Sequence, residues 1–238
     1  DDPPFALPPG RSFLFYGKTG SVPAISNITN VSGLNGFEIV GLTEGTPGVG
    51  DSNVGAAEFV RPAGDVNGDG YDDILIGHRH GDRLFEILPG VAVNREDVGH
   101  TYVIFGRPGS VTSPLNVSTL DGTNGFRIQG INEEDGSGRY VDAAGDFNGD
   151  GFDDIIIGAP GVDTVNPRLN LSATGAAYVI FGKNSGYSPV LNLETLNGSN
   201  GFVMLGRDEN GLTGTSVRGA GDMNGDGFDD VVVGSPGW

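Results

Sequence analysis

Asp65-Val66-Asn67-Gly68-Asp69-Gly70-Tyr71-Asp72-Asp73 is a stretch that the chain repeats twice more. It returns as Asp146-Phe147-Asn148-Gly149-Asp150-Gly151-Phe152-Asp153-Asp154 and as Asp222-Met223-Asn224-Gly225-Asp226-Gly227-Phe228-Asp229-Asp230. In each copy, oxygen-bearing side chains occupy positions 1, 3, 5 and 9, and glycine occupies position 6. Alternate side chains of a tight loop point inward, and glycine permits the positive φ that curls the loop back. The pattern is typical of a loop that wraps a hard cation.

The donor atoms of these loops favour calcium over other metals. Each copy supplies three carboxylates and one amide, and the backbone carbonyl at position 7 can complete the shell. The loops contain no cysteine or histidine for zinc or copper, and magnesium tolerates such a flexible oxygen cage poorly. Solvated Asp-Gly turns would not need acids at the same fixed offsets. We therefore predict three structural Ca²⁺ sites. Position 12 holds Ile76, Ile157 or Val233 where an EF-hand needs a bidentate glutamate, so sensor-type switching is not expected.

The composition is that of an acidic, turn-rich, folded chain. Among 238 residues there are 43 glycines, hydrophobic residues make up 37%, and the formal net charge is -18. Many glycines between short apolar runs favour an all-β fold. The negative charge argues against binding to nucleic acid or to an anionic membrane surface. No apolar run is long enough to predict a membrane span.

The absence of cysteine leaves disulfide bonds out of the stabilising interactions. Calcium loops can take over that cross-linking role only where calcium is abundant, as it is outside the cell. We therefore expect an extracellular or cell-surface protein. The opening residues Asp1-Asp2-Pro3-Pro4 show no signal peptide, which indicates a processed product or a piece of a longer chain.

The cation loops belong to a longer repeat. A strand that ends in glycine appears at residues 13–17, 102–106 and 178–182, and an Asn-Gly-Phe strand follows at residues 35–40, 124–129 and 200–205. The interval from Asp146 to Asp222 is 76 residues, whereas the interval from Asp65 to Asp146 is 81. The additional residues of the first repeat fall near residues 43–57 and 78–100, which we expect to be surface loops.

Four strands in each repeat predict one four-stranded antiparallel sheet. The Ile155-Ile156-Ile157 strand shows no polar alternation, so both of its faces must be covered. A radial stack of sheets covers both faces, whereas a simple sandwich leaves one face of each sheet in water. The sequence therefore predicts all-β β-propeller blades with essentially no long helix.

These motifs resemble the FG-GAP repeat, the blade unit of the integrin α-subunit N-terminal β-propeller family. The resemblance is clearest in Ala144-Gly145-Asp146, in the loop that follows, and in Ile157-Gly158-Ala159-Pro160. It implies a seven-bladed propeller with Ca²⁺ in the loops between the first two strands of a blade. On this pattern the ligands, with the backbone carbonyl acting at position 7, are Asp65, Asn67, Asp69, Tyr71 and Asp73; Asp146, Asn148, Asp150, Phe152 and Asp154; and Asp222, Asn224, Asp226, Phe228 and Asp230.

About three repeat equivalents are present, which is too few for a closed propeller. We predict a Pro-rich lead-in at residues 1–12, a half blade at 13–42, blades at 54–130 and 138–206, and a half blade at 214–238. The opening and closing halves could pair only in a ring of three blades. The expected structure is an incomplete propeller with open strand edges at both ends, and the rest of the propeller in flanking sequence.

Other polar groups receive simpler interpretations. Asp72, Asp153 and Asp229 at position 8 are expected to point away from the ion as solvated acids. His78-Arg79-His80 is interpreted as an exposed loop rather than a metal or anion site. No phosphate-binding loop, zinc-protease motif or serine elbow is present, and Glu133-Glu134 has no partner acid in view. We therefore expect no catalytic residues.

Two main functions stay open from the sequence. The first is a calcium-stabilised module for extracellular adhesion or recognition, which binds a protein or glycan through loops at residues 43–53, 78–100 or 163–174. A lectin-like, sugar-binding propeller is one form of it. The second is a non-catalytic accessory propeller of a secreted enzyme, because FG-GAP-type propellers are similar to those attached to phospholipases and polysaccharide-active enzymes.

Overall fold

The computed structural model describes residues 10–17, 28, 31, 35–41, 59–88, 91–166 and 169–237. Residues 1–9 of the expected lead-in and the candidate ligand loop at residues 43–53 lie outside the described residues. The described chain consists of β-strands and two single-turn 3-10 helices, Val117–Thr119 and Leu193–Thr195. The strands are β1 (Arg11–Phe15), β2 (Gly36–Val40), β3 (Phe59–Gly64), β4 (Asp73–His78), β5 (Arg83–Leu88), β6 (Val91–Arg95), β7 (His100–Ile104), β8 (Leu115–Asn116), β9 (Gly125–Gln129), β10 (Tyr140–Gly145), β11 (Asp154–Ala159), β12 (Thr164–Asn166), β13 (Leu169–Leu171), β14 (Ala176–Ile180), β15 (Val190–Asn192), β16 (Gly201–Leu205), β17 (Ser216–Gly221) and β18 (Asp230–Gly234).

Two complete blades form the centre of the molecule. The first has the order β3-β4-β7-β9 and the second the order β10-β11-β14-β16, and all neighbouring strands within these blades are antiparallel. Each blade is a meander whose first two strands are joined by a cation loop. The all-β prediction and the prediction of four-stranded propeller blades are confirmed.

The blades pack face to face, which explains the apolar runs in their second strands. All six residues of β11 are buried, from Asp154 to Ala159. Leu75 of β4, Ile155 of β11 and Ile180 of β14 belong to one core cluster that joins the two complete blades. Because each strand in the middle of the stack has a sheet on both sides, polar alternation would bury unpaired polar groups.

Two incomplete sheets flank the complete blades. The β1–β2 pair precedes the first blade, and β1 begins at Arg11 rather than at Phe13. The β17–β18 pair follows the second blade and packs against β10. The two pairs belong to different sheets, so the sheets of the described residues do not close into a ring.

Short parallel strands connect neighbouring blades. β8 pairs with β2, and β15 pairs with β9, in both cases from the segment between the third and fourth strands of the following blade. Two hairpins also extend from the blades: β5–β6 within residues 78–100, and β12–β13 in the same position of the second blade. The sequence predicted surface loops at these hairpins. Strands of two or three residues leave no readable period, so the parallel connections were not predicted.

Among the described residues, no helix has the length and apolar character needed to cross a bilayer.

Candidate metal loops

The first cation loop is held by hydrogen bonds between its own acids and its own backbone. The two carboxylate oxygens of Asp65 accept bonds from the N–H groups of Asp69 (3.0 Å) and Gly70 (2.8 Å). Asn67 Oδ1 accepts a second bond from the Asp69 N–H at 2.9 Å, and Asp69 Oδ1 accepts one from the Tyr71 N–H at 2.9 Å. Positions 1, 3 and 5 therefore all direct an oxygen toward the inside of the loop.

The second and third loops have the same geometry. Asp146 accepts bonds from the N–H groups of Asp150 and Gly151, each at 2.9 Å. Asp222 accepts bonds from Asp226 at 3.1 Å and from Gly227 at 2.9 Å. Glycine at position 6 has φ +88 in the first two loops and +92 in the third, a conformation that strongly favours glycine. The loop conformation thus follows from local sequence.

The position-9 acids of the first two loops, Asp73 and Asp154, differ from the other loop acids because they are buried. Asp73 Oδ2 accepts a bond from the Val66 N–H at 3.0 Å and its Oδ1 accepts one from the Gly106 N–H at 2.8 Å. Asp154 makes the matching bonds to Phe147 (3.1 Å) and Gly182 (2.8 Å). Burial, aided by the neighbouring loop acids, raises the pKa of each of these two carboxyls to about 7. A nearby cation would oppose that shift.

The chemistry of the donors fits a hard divalent cation. Each loop carries oxygen-bearing side chains at positions 1, 3, 5 and 9 of a nine-residue segment, and each carboxylate oxygen that accepts an amide bond keeps a further lone pair. Within the described residues, however, no group of three or more His, Cys, Asp or Glu side chains is drawn together as a ready-made metal site. The assignment of Ca²⁺ to the ligands named above therefore stays a prediction.

The acids at position 8 have a role that the sequence interpretation missed. Asp153 Oδ2 accepts a bond from the Asp65 N–H of the preceding loop at 2.7 Å, and Asp229 Oδ2 accepts one from the Asp146 N–H at 2.9 Å. The prediction that these two acids are simply solvated is wrong, because each connects one loop to the next. The pairing joins residues 83 or more positions apart, and its only sequence signal is the recurrence of an acid at position 8.

The aromatic residues at position 7 also connect the loops. A Cβ built on Gly68 would stand 2.3 Å from a ring carbon of Phe152, and one built on Gly149 would stand 2.3 Å from a ring carbon of Phe228. Glycine at position 4 therefore leaves room for the aromatic ring of the following loop. The three loops form a row in which each loop supports the one before it.

The opposite end of the strands carries a mixed-charge pocket. The pocket has a volume of about 300 Å³. It lies between the connection from β4 to β7, which contains the β5–β6 hairpin, and the segment from β9 to β10 that joins the two complete blades. His80 Nδ1 lies 2.8 Å from Asp97 Oδ1, and Arg139 also lines the pocket. His78 is buried within β4, so its interpretation as an exposed loop residue is wrong. The strand continues past its glycine because β7 pairs with it as far as His100.

Comparison with known proteins identifies the repeat. The family model described as "FG-GAP repeat" matches residues 139–180 and 213–238. These ranges contain the second and third cation loops together with the strands on either side of them. The match agrees with the resemblance that the sequence indicated.

The relatives include proteins of two groups. The chain is 32% identical over 176 residues to phosphatidylinositol-glycan-specific phospholipase D of Bos taurus, which covers 72% of this chain and 18% of that protein. It is 30% identical over 176 residues to integrin alpha pat-2 of Caenorhabditis elegans, covering 72% of this chain and 12% of that protein. Integrin alpha-5 of Xenopus laevis is 28% identical over 179 residues, covering 73% of this chain and 14% of that protein. The chain thus spans less than a fifth of the length of these relatives.

Proposed function

We propose that this chain, a member of the FG-GAP repeat family, is a calcium-stabilised propeller segment that serves as an extracellular adhesion or recognition module. The proposal is carried by one observation: three loops of the same motif adopt the same hydrogen-bonded conformation, and neighbouring loops bond to one another in a row. Residues that only ended strands would not need this repeated inward orientation of oxygen atoms.

Calcium in these loops has a structural role. The ligands at positions 1 to 9 belong to the connection between the first and second strands of a blade, and Asp73 and Asp154 are buried against the start of the next segment, at Gly106 and Gly182. A cation held there would join the loop to the blade core and neutralise part of the net charge of -18. Binding to the folded state alone stabilises it by about 2.7 kcal/mol per site at a hundredfold excess over Kd.

Thermal unfolding with and without calcium tests the proposal. We expect the melting temperature to fall clearly when EDTA replaces CaCl₂, and to recover with Ca²⁺ but much less with Mg²⁺. Asp150→Asn removes one ligand charge from the second loop and should reduce the calcium-dependent part of the stability. Glu133→Gln, an exposed acid outside the loops, is the charge-matched control and should leave it unchanged. An identical melt in EDTA and in CaCl₂ would refute the calcium assignment.

Recognition is proposed for the face opposite the cation loops. The connections between second and third strands, and between successive blades, meet there and line the mixed-charge pocket around His80, Asp97 and Arg139. Loops carried by a rigid sheet are the usual place for binding residues. Binding to a glycan array or to extracellular-matrix proteins, lost in Arg139→Glu and kept in Arg107→Glu on the cation-loop side, would support this face. Equal losses in both variants would contradict it.

A second candidate is a non-catalytic accessory propeller of a secreted enzyme. It is favoured by the 32% identity to phosphatidylinositol-glycan-specific phospholipase D of Bos taurus. In this case the propeller positions a catalytic domain and contributes no catalytic group itself. The coding sequence on either side of this segment separates the two candidates: a catalytic domain supports the accessory role, and a membrane anchor supports adhesion.

A further inference from the structure

The mixed-charge pocket carries ionisable side chains that the repeat places at one blade boundary and not at the next. At the boundary between the two complete blades, its lining includes Arg79, His80, Asp97, Glu134, Asp135 and Arg139. With β4 aligned on β11, β7 on β14 and β10 on β17, the same places at the next boundary hold Pro160, Gly161, Ala173, Asn210, Gly211 and Thr215. None of these six residues ionises. The charges are therefore a feature of one boundary and not of the repeat.

The backbone around the pocket does not require these charges. The Gly136 N–H donates to the Asp97 carbonyl at 3.0 Å, and at the next boundary the Leu212 N–H donates to the Ala173 carbonyl at the same distance. Asp97 has φ 53 and Ala173 has φ 49, so both adopt the left-handed conformation. Alanine forms this turn without a polar side chain. The fold therefore does not select an acid at position 97.

Arg139 brings to the pocket a guanidinium that has no acid partner. The residue is half-buried, and its guanidinium carbon lies 5.7 Å from the centroid of the Tyr140 ring. Within the described part of the chain, no hydrogen bond or ion pair engages the guanidinium, although the sequence has 31 acids against 13 Lys and Arg. A guanidinium is a planar fork of N–H donors whose geometry matches a carboxylate. Arg139 is therefore available to a carboxylate from outside the chain.

Two acids of the pocket keep carboxylate oxygens without donors. His80 Nδ1 lies 2.8 Å from Asp97 Oδ1, whereas Asp97 Oδ2 has no hydrogen-bond partner among the described residues. Glu134 is exposed, and no described residue donates to its carboxylate. Ionised carboxylates accept hydrogen bonds and cannot donate them. These oxygens therefore suit the hydroxyl groups of a ligand.

Charge and size narrow the class of ligand. A cation would meet the charges of Arg79 and Arg139, and a phosphate dianion would meet the three acids of the pocket. A neutral sugar would cover Arg139 without pairing its charge, and an acidic peptide side chain would not supply hydroxyl donors. The volume of about 300 Å³ lies at the small end of the range for ligand sites. A single sugar ring with one carboxylate and several hydroxyls matches these groups.

We propose that the mixed-charge pocket binds one hexuronic acid unit of a glycan. The carboxylate of the sugar bonds to the Arg139 guanidinium, and ring hydroxyls donate to Asp97 and Glu134. A carboxylate paired with a guanidinium makes two charge-assisted hydrogen bonds, which fixes the orientation of the ring. The inference rests on the proposed recognition by this face, and it adds the class of ligand and the role of each of the three side chains.

NMR titration of the unaltered chain in CaCl₂ with three probes tests the ligand class. Methyl β-glucuronide carries both the carboxylate and the hydroxyls, methyl β-glucoside lacks the carboxylate, and cyclohexanecarboxylate lacks the hydroxyls. Methyl β-glucuronide should bind about tenfold or more tightly than either of the other probes. The reason is that each of those probes leaves one set of charged groups in the pocket without its hydrogen bonds.

Variants that copy the next boundary separate the roles of the side chains. Arg139→Thr and Glu134→Asn introduce the side chains found at the equivalent positions 215 and 210, so the fold already accommodates both. Arg139→Thr should weaken the binding of methyl β-glucuronide about tenfold and leave that of methyl β-glucoside nearly unchanged. Glu134→Asn should weaken the binding of both sugars about threefold. Arg107→Thr, on the cation-loop side, is the matched control and should change neither, and circular dichroism checks the folding of all variants.

Separate results test the ligand class and the recognition face. The ligand class is wrong if no probe binds, if methyl β-glucuronide binds no more tightly than the other two probes, or if Arg139→Thr does not weaken its binding. In any of these cases, loss of glycan-array or matrix-protein binding in Arg139→Glu would still support the face. Array and matrix-protein binding that does not change in Arg139→Glu, together with such a result, would overturn both.

Discussion

The second and third cation loops differ in sequence at one position, Phe147 against Met223, yet they have different surroundings. Their internal hydrogen bonds agree, as between Asp150 or Asp226 and the first acid of the loop, at 2.9 and 3.1 Å. The second loop also receives Asp229 from its neighbour, and Asp154 is fully buried. The comparison shows that the loop conformation is local, whereas burial comes from the neighbouring blade.

The largest difference should appear in the strands that follow the two loops. Ile156 is 0% exposed between two blades, whereas its counterpart Val232 is 55% exposed. Ile156→Ala should cost about 2–5 kcal/mol because it leaves a cavity in a packed interface. Val232→Ala should change stability by less than about 0.5 kcal/mol. Urea unfolding of dilute protein measures both, and equal losses would contradict the packing difference.

A pH-dependent difference is expected between two blade boundaries, at the strand ends opposite the cation loops. Asp135 is buried at the boundary between the two complete blades, and burial raises its pKa from 3.8 to about 6. The matching position at the boundary between the second blade and the β17–β18 pair is Gly211. A raised pKa favours the protonated form in the folded state. Its contribution is therefore present below pH 3.8 and is lost as pH rises through about 6.

Asp135→Asn isolates this contribution. Asparagine keeps an oxygen that can accept the bond from the Asn132 N–H, found at 2.9 Å, and it does not ionise. Relative to the unaltered chain, the variant should gain about 2 kcal/mol or less between pH 4 and pH 7. Urea midpoints across this range measure the gain. A difference that does not vary with pH would show that Asp135 does not titrate in this window.

The contacts between loops should have smaller effects. Asp153→Ala leaves the Asp65 N–H without its carboxylate partner at 2.7 Å and should cost about 1–2 kcal/mol. Asp72→Ala removes the same residue type from the same loop position, where the structure shows no matching contact among the described residues, and should cost less than about 0.5 kcal/mol. Thermal melts of dilute protein compare the stability of the two variants. A larger loss of stability in Asp72→Ala would contradict the role of position 8 in connecting successive loops.

The smallest difference concerns glycine at position 4. Gly149 has φ +75 and faces the Phe228 ring, whereas Gly225 has φ +77 and no heavy atom within 4 Å among the described residues. Alanine at either site costs about 1–2 kcal/mol for the left-handed conformation. Gly149→Ala should lose about 1 kcal/mol more, because a Cβ would meet the ring. Equal losses in the two variants would show that the ring moves aside freely.

Much of the fold could be predicted from the recurrence of short motifs. The second strand of each blade lacks polar alternation, which predicted that both of its faces are covered. The structure agrees, since β11 is buried along its whole length. The aromatic and aliphatic residues 102–105 are buried as well. The parallel pairing of β8 with β2 and of β15 with β9 could not be predicted, because it depends on two short segments meeting across a blade boundary.

The features of the candidate site also separate into those that the sequence determines and those that depend on the tertiary structure. The sequence alone determined the conformation of each loop, since Asp and Asn at alternate positions bond to amides two to five residues away and glycine permits the turn. Tertiary structure decided which acids are buried and which connect one loop to the next. Asp153 and Asp72 occupy the same position of the loop sequence, but among the described residues only Asp153 bonds to a preceding loop. Contacts between blades join residues about a repeat apart, and stacking of the sheets is what brings them together.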